Sequence, residues 1–276
     1  MTSIFDLFKL DGRVAVVTGG AGLLGREFAR TLAEAGAAVV VADIQAAAAE
    51  AVAADLSAQG YPALGVRLDV TDPAAVRDLV TTTLARFGRL DILVNSAALD
   101  PKFDPEALAR GIVPGRFEDF PLDLWNQALA VNLTGIFLVT QACVQPMLAQ
   151  GKGSIINLCS TYGLTGPDQR IYVRADGQRV GYKPVYYTVT KAGVLGFTKY
   201  LAAYYAGTQI RVNALTPGGV YNQHDEEFVR QYAARTILGR MARKDEMNGA
   251  LLFLASDASS YMTGANLIVD GGWTAW

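Results

Sequence analysis

The 276-residue chain is 51% hydrophobic and 18% charged, with a formal net charge of -2. That length suits one large domain or two small ones with a full core, and the charge offers no basic field to nucleic acid or anionic lipid. Charge this sparse predicts apolar surface buried between copies of the chain, a homo-oligomer.

Residues 1–10 carry Ile4, Phe5, Leu7, Phe8 and Leu10, expected as a lead-in packed on the domain. Residues 14–17 are a short apolar strand ending in Thr18-Gly19-Gly20-Ala21-Gly22-Leu23-Leu24-Gly25, and a helix follows to Ala35, stopped by Gly36. A second buried strand, 38–42, ends at Asp43, followed by an alanine-rich helix at 45–58 and a third strand at 64–68. Asp72 and Pro73 supply an N-cap and a first-turn proline for a helix that Gly88 ends. Residues 92–94 are a fourth strand. The segment 99–120, with Pro101, Pro105 and Pro114 and with Pro121 just after it, reads as a surface loop, and a long helix runs from 123 towards 147, ending or interrupted near Pro146. A fifth strand at 154–159 precedes an irregular stretch, 164–185. A helix opens near Tyr187, a sixth strand covers 210–215, helices follow from Asp225 and over 246–254, and a last strand spans 267–269. Unbroken apolar strands alternating with helices predict an α/β fold: a parallel sheet of about seven strands with helices on both faces, in one domain over 1–276.

Cys143 and Cys159 lie in apolar surroundings and read as reduced core thiols, which suits a cytoplasmic protein. His224 is the one histidine, so a zinc site is not expected. No apolar run reaches the ~18 residues of a membrane span, and the N-terminus has no export-signal pattern.

Gly20-x-Gly22-x-x-Gly25 between a buried strand and a helix is the setting of a dinucleotide fingerprint. Glycines let the backbone approach a pyrophosphate at the positive end of the next helix, with Gly19, Gly22, Leu23 and Leu24 as the expected contacts. Asp43, about 20 residues on, would accept from the ribose hydroxyls and repel a 2′-phosphate, which favours NAD over NADP. Helix capping is its alternative role. Asp69 and Val70 would meet the adenine edge, and Asn95, Ser96 and Ala97 the floor beneath it.

Tyr187 and Lys191 are i and i+4 if 187–206 is helical, so they share a face. A free phenol ionises near pH 10, and an ammonium beside it favours the phenolate. The pair reads as a general acid/base, with Ser160 as a hydroxyl that polarises a carbonyl. The same spacing also suits a packed ring and a solvated amine.

Taken together, the glycine turn, Asp43, Asn95, Asn132, Ser160, Tyr187-x-x-x-Lys191, Pro217-Gly218 and Asp270-Gly271-Gly272 resemble a short-chain dehydrogenase/reductase over about residues 10–272. The resemblance implies a Rossmann fold and an NAD-dependent alcohol dehydrogenase or ketoreductase. It makes Tyr187 the acid/base, Lys191 its partner and a ribose ligand, Ser160 the polarising hydroxyl, and Asn132 the holder of a water that links Lys191 to solvent. Pro217, Gly218 and Val220 would bracket the nicotinamide, with Asn222 where a threonine often bonds the carboxamide. A dimer or tetramer through the helices near 123–147 and 187–206 is the family habit. Leu23 stands where the usual glycine pattern has glycine, and Ala98 replaces the glycine of Asn-Asn-Ala-Gly.

The interval from Ser160 to Tyr187 (187 − 160 = 27) is longer than in most members. Its extra length, 164–185, carries Arg170, Arg174, Arg179 and Lys183 against Asp168 and Asp176, and points to a polar or anionic small-molecule substrate such as a sugar acid. A solvated or subunit-contact loop is the competing reading. Lys102 and Arg116 of the 99–120 insertion would face the same opening, and His224 with the 220–240 segment resembles the family's mobile substrate loop, His224 as a loop residue rather than a catalyst. A narrower resemblance is to oxidoreductases of flagellin-modification and nonulosonic-acid pathways. Alternatively Tyr162, with Leu164, Tyr182 and Trp125, lines an apolar pocket for steroid or 3-oxoacyl substrates. A non-catalytic dinucleotide-binding subunit is the reading of another class.

Overall fold

A computed structural model describes residues 3–100 and 113–276. Seven strands form one parallel sheet: β1 (Val14–Thr18), β2 (Ala38–Asp43), β3 (Ala63–Arg67), β4 (Ile92–Asn95), β5 (Lys152–Leu158), β6 (Gln209–Pro217) and β7 (Asn266–Val269). Their order is β3-β2-β1-β4-β5-β6-β7. The order reverses direction between β1 and β4, and a crevice opens at the carboxyl ends of the strands there. Register pairs Thr18 with Asn95 and Asn95 with Asn157 across that point. The central strands are buried on both faces because helices cover both, while the edge strands β3 and β7 are partly buried.

The helices are α1 (Leu23–Glu34), α2 (Ala46–Ala58), α3 (Pro73–Phe87), α4 (Leu122–Gln150), α5 (Val185–Tyr204), α6 (Glu226–Ala233) and α7 (Asn248–Ala255). On one face Phe28 and Leu32 of α1, Leu56 of α2 and Leu251 and Leu254 of α7 pack against the sheet. On the other face Leu79 of α3 and Val139, Val144 and Met147 of α4 do so. Burying each such side chain stabilises by about 1.5–3 kcal/mol. The expected stops are present: Asp72 Oδ1 accepts from Ala74 N at 2.8 Å, and Gly88 closes α3 at φ 76.

Three elements differ from expectation. The 3₁₀ turn Ile4–Phe8 packs on the domain only in part: Ile4 and Phe5 are exposed, Leu7 and Phe8 are half-buried, and Leu10 is buried. Helix α4 runs past Pro146 and ends at Gly151, φ 80. Proline removes one ladder bond but its neighbours Val144 and Met147 are anchored in the core, and packing prevails. A π-helical turn, Ala130–Gly135, lies within α4. By length and composition α4 would cross a membrane, yet its buried side chains belong to the core beside β4 and β5.

Candidate active site

A cavity of about 600 Å³ opens at the carboxyl ends of the strands. Gly19 enters its wall at φ 63, and a Cβ there would lie 2.8 Å from Ala97 Cα. Gly25 permits the first turn of α1 to sit on the loop, since a Cβ would meet Gly19 O at 2.1 Å. Gly22 caps α1 without a side-chain bond, so the first N–H groups of a 12-residue helix stay open beside Leu23 and Leu24 on the cavity wall. This bare helix end and close glycine approach fit a pyrophosphate.

Asp43 closes β2 on the cavity wall. Its Oδ2 accepts from Ala21 N and its Oδ1 from Gln45 N, both at 3.1 Å, so the carboxylate braces the glycine turn. Arg26 folds back onto the same turn, donating to Ala21 O at 2.6 Å. Asp69 accepts from Thr71 Oγ1 at 2.7 Å and Thr71 N at 2.9 Å, which holds its carboxyl below the usual range. Val70 lines the cavity against Gly135, where a Cβ would come 2.6 Å from Val70 Cγ2. Asn95 turns away: its amide donates to Asn157 Oδ1 at 2.8 Å and Thr140 Oγ1 at 2.9 Å in the core. The expected floor there is formed instead by Ser96, Ala97 and Ala98.

On the other side stand Ser160, Tyr187 and Lys191. Ser160 follows β5 in extended backbone, and its Oγ accepts from Tyr162 N at 3.2 Å. Helix α5 begins at Val185, two residues before Tyr187, with Pro184 as N-cap. Lys191 is buried and donates from Nζ to Leu158 O at 2.8 Å, leaving two of its three donors. Cys159 braces this junction through Lys191 O at 3.2 Å.

Lys191 Nζ lies 5.8 Å from the Tyr187 ring centre. Enclosure in the cavity wall pushes the phenol up, the Asp100 carboxylate adds to this, and the Ser160 hydroxyl opposes it. Burial thus prevails over the expected lowering by Lys191, whose ammonium is held on the Leu158 carbonyl. Burial in turn pushes the Lys191 amine down.

Asn132 sits in the π turn. Its amide donates to Leu99 O at 3.1 Å and Thr190 Oγ1 at 3.2 Å, and its Oδ1 accepts from Leu99 N at 2.7 Å. Both donors of the expected water holder are therefore bonded to protein, and the residue ties the loop after β4 to α5 beside Lys191. Such π turns recur at functional sites.

The insertion corrects the charge argument. Arg170 is exposed and paired with Asp168 at 2.8 Å, away from the cavity. Arg174 faces Gln178, and Arg179 donates to Gln169 O while lying over the Tyr182 ring. Arg116 pairs with Glu118 on the surface, and Lys102 lies outside the described residues. Of the four basic residues in 164–185, Lys183 alone lines the cavity. It is ion-paired with Asp100, and its Nζ lies 3.8 Å from the Tyr187 ring centre. Lys183 is one of the four cations expected near the substrate opening, and Asp100 is not expected there. The available signal was spacing: Lys183 and Lys191 stand four residues on either side of Tyr187.

Pro217, Gly218, Val220 and Asn222 follow β6 along the opposite wall. Tyr232 stacks on Trp273 with ring centres 4.2 Å apart, and its hydroxyl accepts from Gly219 N at 2.5 Å. Tyr162 meets both Tyr187 and Trp273 edge-on, and its buried hydroxyl has no hydrogen-bond partner. Leu164, Tyr182 and Trp125 do not line this cavity. His224 stacks on Phe228 at 5.0 Å, its Nδ1 accepts from Asn222 N, and burial lowers its pKa. Among the described residues no cluster of His, Cys, Asp and Glu could hold a metal ion.

A bound nicotinamide would supply the hydride-accepting carbon. Around it α1 and Asp43 would hold the dinucleotide, Ser160 would donate to a substrate oxygen, and Tyr187 would exchange the hydroxyl proton.

Known proteins resemble this chain in sequence and fold. The family model described as "Enoyl-(Acyl carrier protein) reductase" matches residues 20–274. D-threitol dehydrogenase of Mycolicibacterium smegmatis is 37% identical over 275 residues, covering 98% of this chain and 95% of that one. The 3-alpha-(or 20-beta)-hydroxysteroid dehydrogenase of Mycobacterium tuberculosis is 40% identical over 268 residues, covering 97% and 91%. A gluconate 5-dehydrogenase from Burkholderia cenocepacia, solved with NADP and tartrate, superposes with a TM-score of 0.85 at 34% identity, covering 99% and 100%. The chain belongs to the short-chain dehydrogenase/reductase family and is a dinucleotide-binding oxidoreductase acting on CH–OH groups.

Proposed function

We propose that this chain is a one-domain, NAD-dependent cytoplasmic dehydrogenase that transfers hydride between nicotinamide and a secondary alcohol or ketone of a polar, sugar-like or sugar-acid substrate. The observation that carries this reading is a single cavity lined by the glycine turn, Asp43, Ser160, Tyr187 and Lys191. Asp43 supports NAD, since a carboxylate at the end of β2 repels a 2′-phosphate. Arg26 on the same turn and the NADP found with the gluconate 5-dehydrogenase make cofactor choice the first quantity to measure. The Asp100–Lys183 pair on the cavity wall supports a substrate with several polar groups.

A second reading, an apolar ring substrate, draws on the aromatic wall of Tyr162, Tyr232 and Trp273 and on the hydroxysteroid relative. Nicotinamide absorbance followed over a panel of polyols, sugar acids, hydroxysteroids and 3-oxoacyl thioesters, with NAD and NADP in parallel, separates the readings. Turnover confined to the apolar substrates would overturn the first, and silence across the panel would overturn both.

Self-association forms part of the proposal. Leu133, Ile136 and Phe137 of α4 and Val194 and Phe197 of α5 line an apolar groove on the outer helix layer. Such a groove supports burial against a second copy.

A further inference from the structure

We propose that Asp100 and Lys183 act as a charge-matched pair that selects neutral polyhydroxylated alcohols over their carboxylate counterparts. This rests on the alcohol-dehydrogenase reading above and narrows its substrate class.

Lys183 comes from the insertion, and Asp100 from the stretch after β4. Both line the cavity, and they are paired with each other. The Lys183 ammonium covers the face of the Tyr187 ring, so a substrate oxygen held by Lys183 lies close to the reacting hydroxyl. The pair's formal charges cancel. A neutral hydroxyl can donate to Asp100 and accept from Lys183 without separating them. A carboxylate would face Asp100 directly and would have to displace it from Lys183, and like charges brought together are disfavoured.

The other described charges do not offset this. Lys191 is buried on the Leu158 carbonyl, Arg170 and Arg174 lie outside the cavity, Arg179 is held on Gln169 O, and burial keeps His224 towards its neutral form. The remaining charged residues of the described wall, Asp43 and Asp69, are acidic.

The test compares kcat/KM for a tetritol and the matching tetronate with the cofactor-loaded wild type, Asp100→Asn and Lys183→Met, and measures tetronate Kd by calorimetry. Wild type is expected to favour the tetritol. Asp100→Asn should lower the tetritol/tetronate ratio by about fivefold or more and tighten tetronate binding, and Lys183→Met should move both quantities the opposite way. A merely structural role would depress both substrates together and would not give shifts of opposite sign. A wild-type preference for tetronate, or a ratio and Kd unmoved in both variants, would overturn the pair's role. Turnover of no alcohol at all would instead overturn the dehydrogenase reading, and the Kd comparison would still decide whether the pair discriminates charge.

Discussion

Lys183 lies nearer the Tyr187 ring than Lys191 does, 3.8 Å against 5.8 Å between ammonium and ring centre. The nearer cation comes from the insertion and is neutralised by Asp100; the farther one comes from the same helix and is held by Leu158 O. Two lysines thus approach one phenol from two directions.

Tyr187→Phe removes the exchanging proton and keeps the ring that packs edge-on against Tyr162. Turnover should fall by about 10²- to 10⁴-fold with the fold retained, as read by steady-state kinetics beside circular dichroism. Near-wild-type rates would remove Tyr187 from the chemistry.

Alcohol oxidation requires the phenolate, and enclosure holds the Tyr187 pKa above its ordinary value. The oxidation rate should therefore climb with pH through the alkaline range. Lys191→Met removes the cation that favours the phenolate, so the climb should move to higher pH. A kcat/KM–pH profile unmoved by that substitution would count against Lys191 as the tuning group.

Asp43→Ala deletes the carboxylate that braces Ala21 and faces the dinucleotide. NAD affinity should drop and the NAD/NADP preference shrink by about tenfold or more, the effect of losing a charged hydrogen-bonding group. Titration of both cofactors by tryptophan fluorescence checks it, and an unchanged preference refutes the assignment.

Alkali should unfold this protein early. Tyr162 and Tyr232 are buried, and burial raises both phenols, Tyr232 to about 12. Below pH 10 these phenols are protonated in folded and unfolded chains alike, so they add no pH dependence. As pH rises through 10 the unfolded chain ionises first and binds fewer protons, so stability falls. The loss should approach about 1.4 kcal/mol per pH unit for each of the two. Urea midpoints at pH 9, 10 and 11 would measure it; a flat series would show that these phenols reach water.

The groove between α4 and α5 predicts a solution mass above the 29.4 kDa of one chain. Phe137, 45% exposed at its rim, is the position to test. Phe137→Glu should lower the mass seen by light scattering, because a charge would be buried in an apolar contact.

Much of the fold was legible because it is written locally. Unbroken apolar strands, Asp72-Pro73 before α3 and glycines after helices specify elements through nearest neighbours. Ser160, Tyr187 and Lys191 could be placed together because two lie on one helix and the third ends the strand beside it. What stayed hidden depends on distant partners. Asp100 and Lys183 are 83 residues apart, and Asp168 accepts from Arg235 across 67. Composition counts cations but does not say which are committed to nearby carboxylates, so Arg170 and Lys183 looked equivalent. Asn95 and Asn132 likewise stood in the right motifs, while the direction of each amide was decided by Asn157, Leu99 and Thr190.

The π turn at Ala130–Gly135 also works as a phase shifter. It accommodates one residue more than an α-helical turn, so the segment before it is rotated by about 100° relative to uninterrupted winding. Removing a single residue from that turn would leave a more regular helix and a worse enzyme. Trp125 and its neighbours would swing a quarter-turn around the axis, and the amide that joins Leu99 to Thr190 would lose its aim. Alignments of this stretch should therefore tolerate substitutions far better than single-residue gaps.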